Sequence, residues 1–184
     1  LDFLQLLMFS SLVSTMALFI ILLIQNKLSL LKKYSGKDLL KGVFLGFLNP
    51  FLYYVILFKA YSILPAQEAM TLNYTWPVML VLLSFPILKQ KIRPISYLAL
   101  LISFSGIIVI ANKGSLRHFE FSNLSGDLLA MGSSIVWALF FLFNVKDQKD
   151  AVIKLFVSFA SGFVFSFILT IFWSELIIPS LQNI

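Results

Sequence analysis

Residues 3–25 read FLQLLMFSSLVSTMALFIILLIQ, a run without one charged side chain, and Lys27, Lys32 and Lys33 follow it. A helix needs about 20 apolar residues to cross the hydrocarbon core of a bilayer, so the run reads as a membrane span. It is not a secretory signal, because the basic residues come after the apolar run rather than before it. Five further stretches repeat the pattern, at 39–61, 66–88, 94–112, 125–145 and 151–174. None pairs an apolar face with a charged one, as the helices of a soluble bundle would. Composition agrees. The 184 residues are 60% hydrophobic and 12% charged, with a mean hydropathy of +0.96, against about 25% charged in soluble domains. The expected fold is all-α, a polytopic bundle of six transmembrane helices. The absence of Cys excludes a disulfide framework.

Working outward from the spans, the charges alternate. Lys27, Lys32, Lys33, Lys37 and Lys41 follow the first span. Lys89, Lys91 and Arg93 follow the third. Lys146, Lys149 and Lys154 follow the fifth, so these three groups hold 11 of the 14 basic residues. The other loops hold Lys59, Lys113 and Arg117. The positive-inside rule puts the rich set in the cytoplasm and both ends of the chain outside. The net charge of +6 is then a topological bias, and no nucleic-acid partner is implied. Short links between spans 2 and 3 and between spans 3 and 4 make those helices antiparallel neighbours. The outer segment 113–125 contains the sole histidine, His118. One loop histidine reads as solvated, and no metal is expected, since a metal site needs several converging ligands.

Two spans carry proline near their middle. Span 2 reads Gly42-x-x-x-Gly46-x-x-Asn49-Pro50-x-x-Tyr53, and span 3 reads Gln67-Glu68-x-x-Thr71-x-Asn73-Tyr74-Thr75-Trp76-Pro77. Proline lacks the donor and frees the carbonyl four residues back, so Pro50 and Pro77 predict kinks that free Gly46 and Asn73. Helix interruptions paired near the midplane point to a transporter site. The alternative is that proline only shapes a packed bundle. At 100° per residue, Gln67, Glu68, Thr71, Tyr74 and Thr75 share an arc of about 120°. That stripe either lines a cavity, the reading favoured here, or hydrogen-bonds a neighbouring helix. Asn73 and Trp76 lie off it. Glu68 reads as the acid set well inside a span. Structurally it suits the helix N-terminus after Pro65, with Lys59 across the turn. Functionally it is a candidate for proton coupling or for a substrate amine. Ala130, Ser134 and Ala138, and Ser158, Gly162, Ser166 and Thr170, repeat small residues every fourth position, the pattern of closely packed helices. Trp137, mid-span, reads as a cavity wall or as core.

The segment Lys59-Ala60-Tyr61-Ser62, Pro65-Ala66-x-x-Ala69, Tyr74-Thr75-Trp76-Pro77-Val78, a short basic turn and Gly106-Ile107-Ile108-Val109-Ile110 resembles the EamA-type repeat of the drug/metabolite transporter superfamily. Gly126-Asp127-Leu128-Leu129-Ala130-Met131 through Trp137-Ala138-Leu139 is similar to the opening of a second repeat. The resemblance implies a ten-helix carrier of two five-helix repeats in inverted orientation. Residues 1–114 would be most of the first repeat, 115–124 an extracytoplasmic linker, and 125–184 the start of the second. The start at Leu1 and the end at Ile184 would then lack the first helix and the last three. Gln90 departs from the pattern, since relatives commonly carry Glu there.

The expected function is a secondary transporter working by alternating access around a midplane cavity, and the resemblance implies that it exports small metabolites such as amino acids. Its candidate substrate-binding residues are Asn49, Tyr53, Gln67, Thr71, Tyr74, Trp76 and Trp137. Glu68 is the coupling candidate, and Pro50 and Pro77 the helix-kink residues. Partners are the lipid bilayer and a small-molecule metabolite, with a homodimer left open. The location is the inner (plasma) membrane. No G-x-x-x-x-G-K-[ST] loop is present, so no ATP hydrolysis resides in this chain. No cofactor is expected. The alternatives are a membrane-embedded enzyme, disfavoured by one His and scattered acids without H-E-x-x-H or G-x-S-x-G, and a non-transporting helical assembly subunit.

Overall fold

The computed structural model describes residues 2–91, 93–111 and 123–174. His118 and positions 115–122 of the expected linker lie outside the described residues. All regular structure among the described residues is helical: α1 (Phe3–Ile24), a single turn α2 (Leu28–Leu31), α3 (Gly36–Gly46), α4 (Tyr53–Tyr61), α5 (Ala66–Asn73), α6 (Trp76–Leu88), α7 (Pro94–Ala111), α8 (Leu124–Lys146) and α9 (Ala151–Trp173). Among the described residues, five stretches are long and apolar enough to cross a membrane: Phe3–Ile24, Gly36–Tyr61, Ala66–Leu88, Leu124–Lys146 and Ala151–Trp173. The sixth expected span corresponds to α7, a shorter apolar helix over its described residues.

Helix starts fall where side chains satisfy the free amides of a first turn. Ser35 and Asp38 form a reciprocal capping box at α3, with Asp38 N donating to Ser35 Oγ at 3.3 Å and Ser35 N to Asp38 Oδ2 at 3.1 Å. Asn123 Oδ1 accepts from Ser125 N and Gly126 N at 3.0 and 3.2 Å. Asp150 Oδ1 accepts from Val152 N and Ile153 N at 3.0 and 3.3 Å.

The chain divides into two compact units, 1–51 with 148–184 and 52–147. These cut across the expected repeats, which are divisions of sequence rather than of packing. In the first unit, α1 and α3 both pack on α9. The α9 positions facing them are Ile153, Val157, Ser158, Gly162, Ser166 and Thr170, which include every member of the small-residue repeat. Lys27 pairs with Asp150 at 2.7 Å and Lys149 with Asp38 at 3.2 Å. The hydrogen bonds from Lys27 and from the Val152 and Ile153 amides hold the Asp150 carboxyl below its usual range.

In the second unit, α8 is central, with α4, α5 and α6 against it and α7 against α5. Gly126 permits the closest approach. A Cβ there would stand 2.6 Å from Leu64 Cγ. Ala60, Leu64, Ala69, Leu72 and Ala130 form the small core at this end. In both units large apolar side chains such as Val13, Leu101 and Phe172 point outward, while Ser133, Ser134, Ser166 and Thr170 are buried. Hydroxyls inward and hydrocarbon outward is the arrangement lipid favours, because buried polar groups must find partners within the protein.

The two prolines do more than kink their helices. Pro50 disfavours the helical conformation for the residue before it, and Asn49 is extended at φ −149° and ψ 124° inside a widened turn, Phe47–Leu52. Pro77 stands in the first turn of α6, where its missing amide costs nothing. Helix α5 therefore ends at Asn73, and Tyr74–Thr75 form a tightened turn, at ψ 2° and −10°, before α6 begins.

Candidate functional site

The joint between α5 and α6 sets the geometry of the second unit. In an unbroken helix, Asn73 and Thr75 would point about 200° apart. Here both are buried and both meet α8, while Tyr74 between them is exposed. Tyr53 Oη donates to Asn73 Oδ1 at 3.3 Å, and Asn73 Nδ2 donates to Ser133 Oγ at 2.8 Å. Thr75 Oγ1 and Ser134 Oγ are 2.7 Å apart. Ser133 also donates to the Ala130 carbonyl at 2.6 Å. Three spans are thus joined by side-chain hydrogen bonds at the level where one is interrupted.

An aromatic cluster lies beside this network. The Trp137 ring is 4.9 Å from Tyr53, 5.8 Å from Phe140 and 6.5 Å from Trp76, centroid to centroid. The structure therefore brings together Tyr53, Trp76 and Trp137 from the expected site. The polar stripe of span 3 divides. Glu68 and Thr75 are buried, whereas Gln67 and Tyr74 are exposed and Thr71 is half-buried. Thr71 donates to the Gln67 carbonyl at 2.7 Å. Tyr74 and Pro77 line a cavity of about 430 Å³ that reaches Ser96 and Ser103 of α7. That volume is within the range of small-molecule sites, ~300–1,000 Å³.

Asn49 belongs to the first unit. Its Oδ1 is buried and meets no hydrogen-bond donor among the described groups. Beside the same break, the Phe47, Phe51 and Phe165 rings lie 5.5–5.7 Å apart. Pro50 sits against Gly162, where a Cβ would meet Pro50 Cγ at 2.6 Å.

Sequence reasoning passed over Asp127. It lies at the edge of its expected span, yet it is 3% exposed against 8% for Glu68. Both Asp127 oxygens are buried without a donor among the described groups, and Glu68 lies within electrostatic and hydrogen-bonding reach. Ionised carboxylates are acceptors only, so a hydrogen bond between the two requires a proton on one of them. The available signal was the pair of acids near the starts of spans 3 and 5. Ser133, which tethers Asn73, is the adjacent neighbour of a residue read only as helix packing. No group of three or more potential metal ligands occurs among the described residues.

These features define a polytopic helical membrane protein with two interrupted spans. The family model for EamA-like transporters matches residues 1–112. The chain belongs to the EamA-like transporter family. It is 28% identical over 116 residues to an uncharacterized transporter of Archaeoglobus fulgidus, an alignment covering 63% of this chain and 39% of the relative. It is 32% identical over 91 residues to an uncharacterized transporter in the sor 3' region of Acidianus ambivalens, covering 48% of this chain and 34% of the relative. The chain thus spans well under half the length of these curated relatives. No solved structure matches it.

Proposed function

We propose that the protein is a secondary carrier that exports small metabolites such as amino acids by alternating access. The observation that carries this reading is the interrupted span at Tyr74–Thr75, whose flanking residues divide between a buried network and a cavity of metabolite size. Discontinuous helices at membrane depth supply backbone and side-chain polar groups to a substrate without exposing them to lipid. In this reading Tyr74 and Pro77 border the path, with Gln67 and Thr71 on the exposed face that leads to it. Tyr53, Trp76 and Trp137 form an aromatic wall, and Asn49, in the other unit, is a separate candidate for a polar substrate contact. Residues 1–114 contribute most of one repeat, 115–124 a linker, and 125–184 the start of an inverted partner in a ten-helix carrier. The protein resides in the plasma membrane, with the lysine-rich loops in the cytoplasm and both ends of this chain outside. Carrier function without enzymatic activity is the proposed role, and a homodimer is left open.

Glu68 and Asp127 form the proposed coupling pair, exchanging one proton as the carrier changes state. Uptake of a labelled amino-acid panel by proteoliposomes, against an imposed pH gradient, tests the proposal. Saturable uptake driven by the gradient is expected, and Glu68→Gln and Asp127→Asn should each abolish the gradient's effect. Uptake with the same gradient dependence in both variants would remove the pair from coupling. Absence of uptake for the whole panel would count against the carrier.

A further inference from the structure

A second cavity of the 52–147 unit, of about 410 Å³, opens at the basic end of α6, α7 and α8. Its inner wall is hydrocarbon, including Leu80, Phe141, Leu142 and Val145. Its lip carries Gln90, Lys91 and Arg93, and Ser96 stands one turn into α7. No acidic residue lines it. Among the described residues the ion pairs engage Lys27 and Lys149, and neither Lys91 nor Arg93 takes part in one. Helix α7 also begins at this lip, with Pro94 as its first residue, so its positive end adds to the two cations.

We propose that this cavity binds an anionic phospholipid. The phosphate would sit between Lys91 and Arg93, and the start of an acyl chain would run along Leu80, Phe141 and Val145. The two halves of the site call for one amphiphilic occupant. A free phosphate would satisfy the lip and leave the hydrocarbon wall unfilled. A neutral lipid would fill the wall and leave two cations unpaired. Basic pockets between spans are suited to anionic headgroups at the membrane surface. Arg93 can hold two phosphate oxygens at once, and Lys91 adds a point charge. The amide of Gln90 and the hydroxyl of Ser96 can donate to the remaining oxygens.

Native mass spectrometry of the purified chain, released from micelles with equal phosphatidylglycerol and phosphatidylcholine, tests this directly. It reads binding alone, so its outcome is separate from that of the transport assay. The bound phosphatidylglycerol should exceed phosphatidylcholine roughly thirtyfold, as expected for two surface cations. Lys91→Gln with Arg93→Gln should remove that preference, while Lys32→Gln with Lys33→Gln in another basic loop should keep it. Circular dichroism of each variant checks that the helices persist, and Lys91→Arg with Arg93→Lys should retain the preference. Equal binding of the two lipids, or a preference unchanged in the Lys91/Arg93 variant, would overturn the proposal. Displacement of the lipid by millimolar inorganic phosphate would identify a soluble phosphate as the occupant and would also overturn it.

Discussion

The two interrupted spans solve the same problem in opposite ways. Near Asn49–Pro50 the chain is closed by small residues. Gly42, Gly46 and Gly162 have no room for a side chain, and a Cβ on Gly46 would run into the Ser158 backbone and Ser161 Oγ. Near Tyr74–Thr75 the chain is closed by hydrogen bonds, through Asn73 to Ser133 and Thr75 to Ser134. A break fixed by close contact should respond to added volume. A break fixed by polar tethers should respond to lost hydroxyls and amides.

The largest effect should come from volume at the first break. Gly46→Ala should cost about 2–3 kcal/mol, because the backbone of α9 has to move. Gly132→Ala in α8, where nothing lies within 4 Å, should cost nothing and can gain several tenths of a kcal/mol from helix propensity. Reversible unfolding in mixed micelles, followed by circular dichroism, measures both. Equal losses would remove the distinction between the two breaks.

Polar tethers should give smaller numbers. A double-mutant cycle on Asn73→Ala and Ser133→Ala should show a coupling near 1 kcal/mol, within the range of hydrogen bonds between membrane helices. A coupling of zero would mean that Asn73 is held by packing instead. Thr75→Val keeps the shape and removes the hydroxyl, so it should cost about 0.6 kcal/mol. The same unfolding assay reads it, and no loss would make the 2.7 Å contact with Ser134 energetically idle.

The smallest effect should be at Asp150. Its folded-state carboxyl titrates below the ordinary aspartate value of 3.8, so its contribution is present above that value and is lost as pH falls through the lower, folded-state value. The pair with Lys27 is about a third exposed at the side chains, so water screens it, and Asp150→Asn should cost less than ~0.5 kcal/mol at neutral pH. The variant keeps a capping side chain. Unfolding followed from pH 5 down to pH 3 should show a fall for the parent that is shallower in the variant.

The spans were legible because each is an uninterrupted apolar run bounded by charged or capping residues. The observed helices begin and end within a few residues of the expected positions at all six. Pro50 and Pro77 marked the two breaks, but their extent was hidden. A proline predicts a lost hydrogen bond, whereas whether the chain bends or separates depends on what its neighbours supply. The site was legible in part. Tyr53, Trp76 and Trp137 meet as aromatic residues, but the stripe of span 3 was drawn on one continuous helix. The joint at Tyr74–Thr75 breaks that phase, so Asn73 moved into the network and Tyr74 moved to the outside. Asp127 was missed because its burial depends on Gly126 drawing α8 against Leu64, a contact that no periodicity encodes.

The proposed solute path passes the joint between α5 and α6. Solute counterflow in proteoliposomes, with Tyr74→Ala compared against Ile135→Ala on the exposed face of α8, tests that most directly. A solute path at this joint should give saturable exchange that falls at least about tenfold in the Tyr74 variant, as for a lost substrate contact, and is unchanged in the Ile135 variant. Exchange that is equal in both variants, or absent in the parent for every metabolite tried, would contradict it.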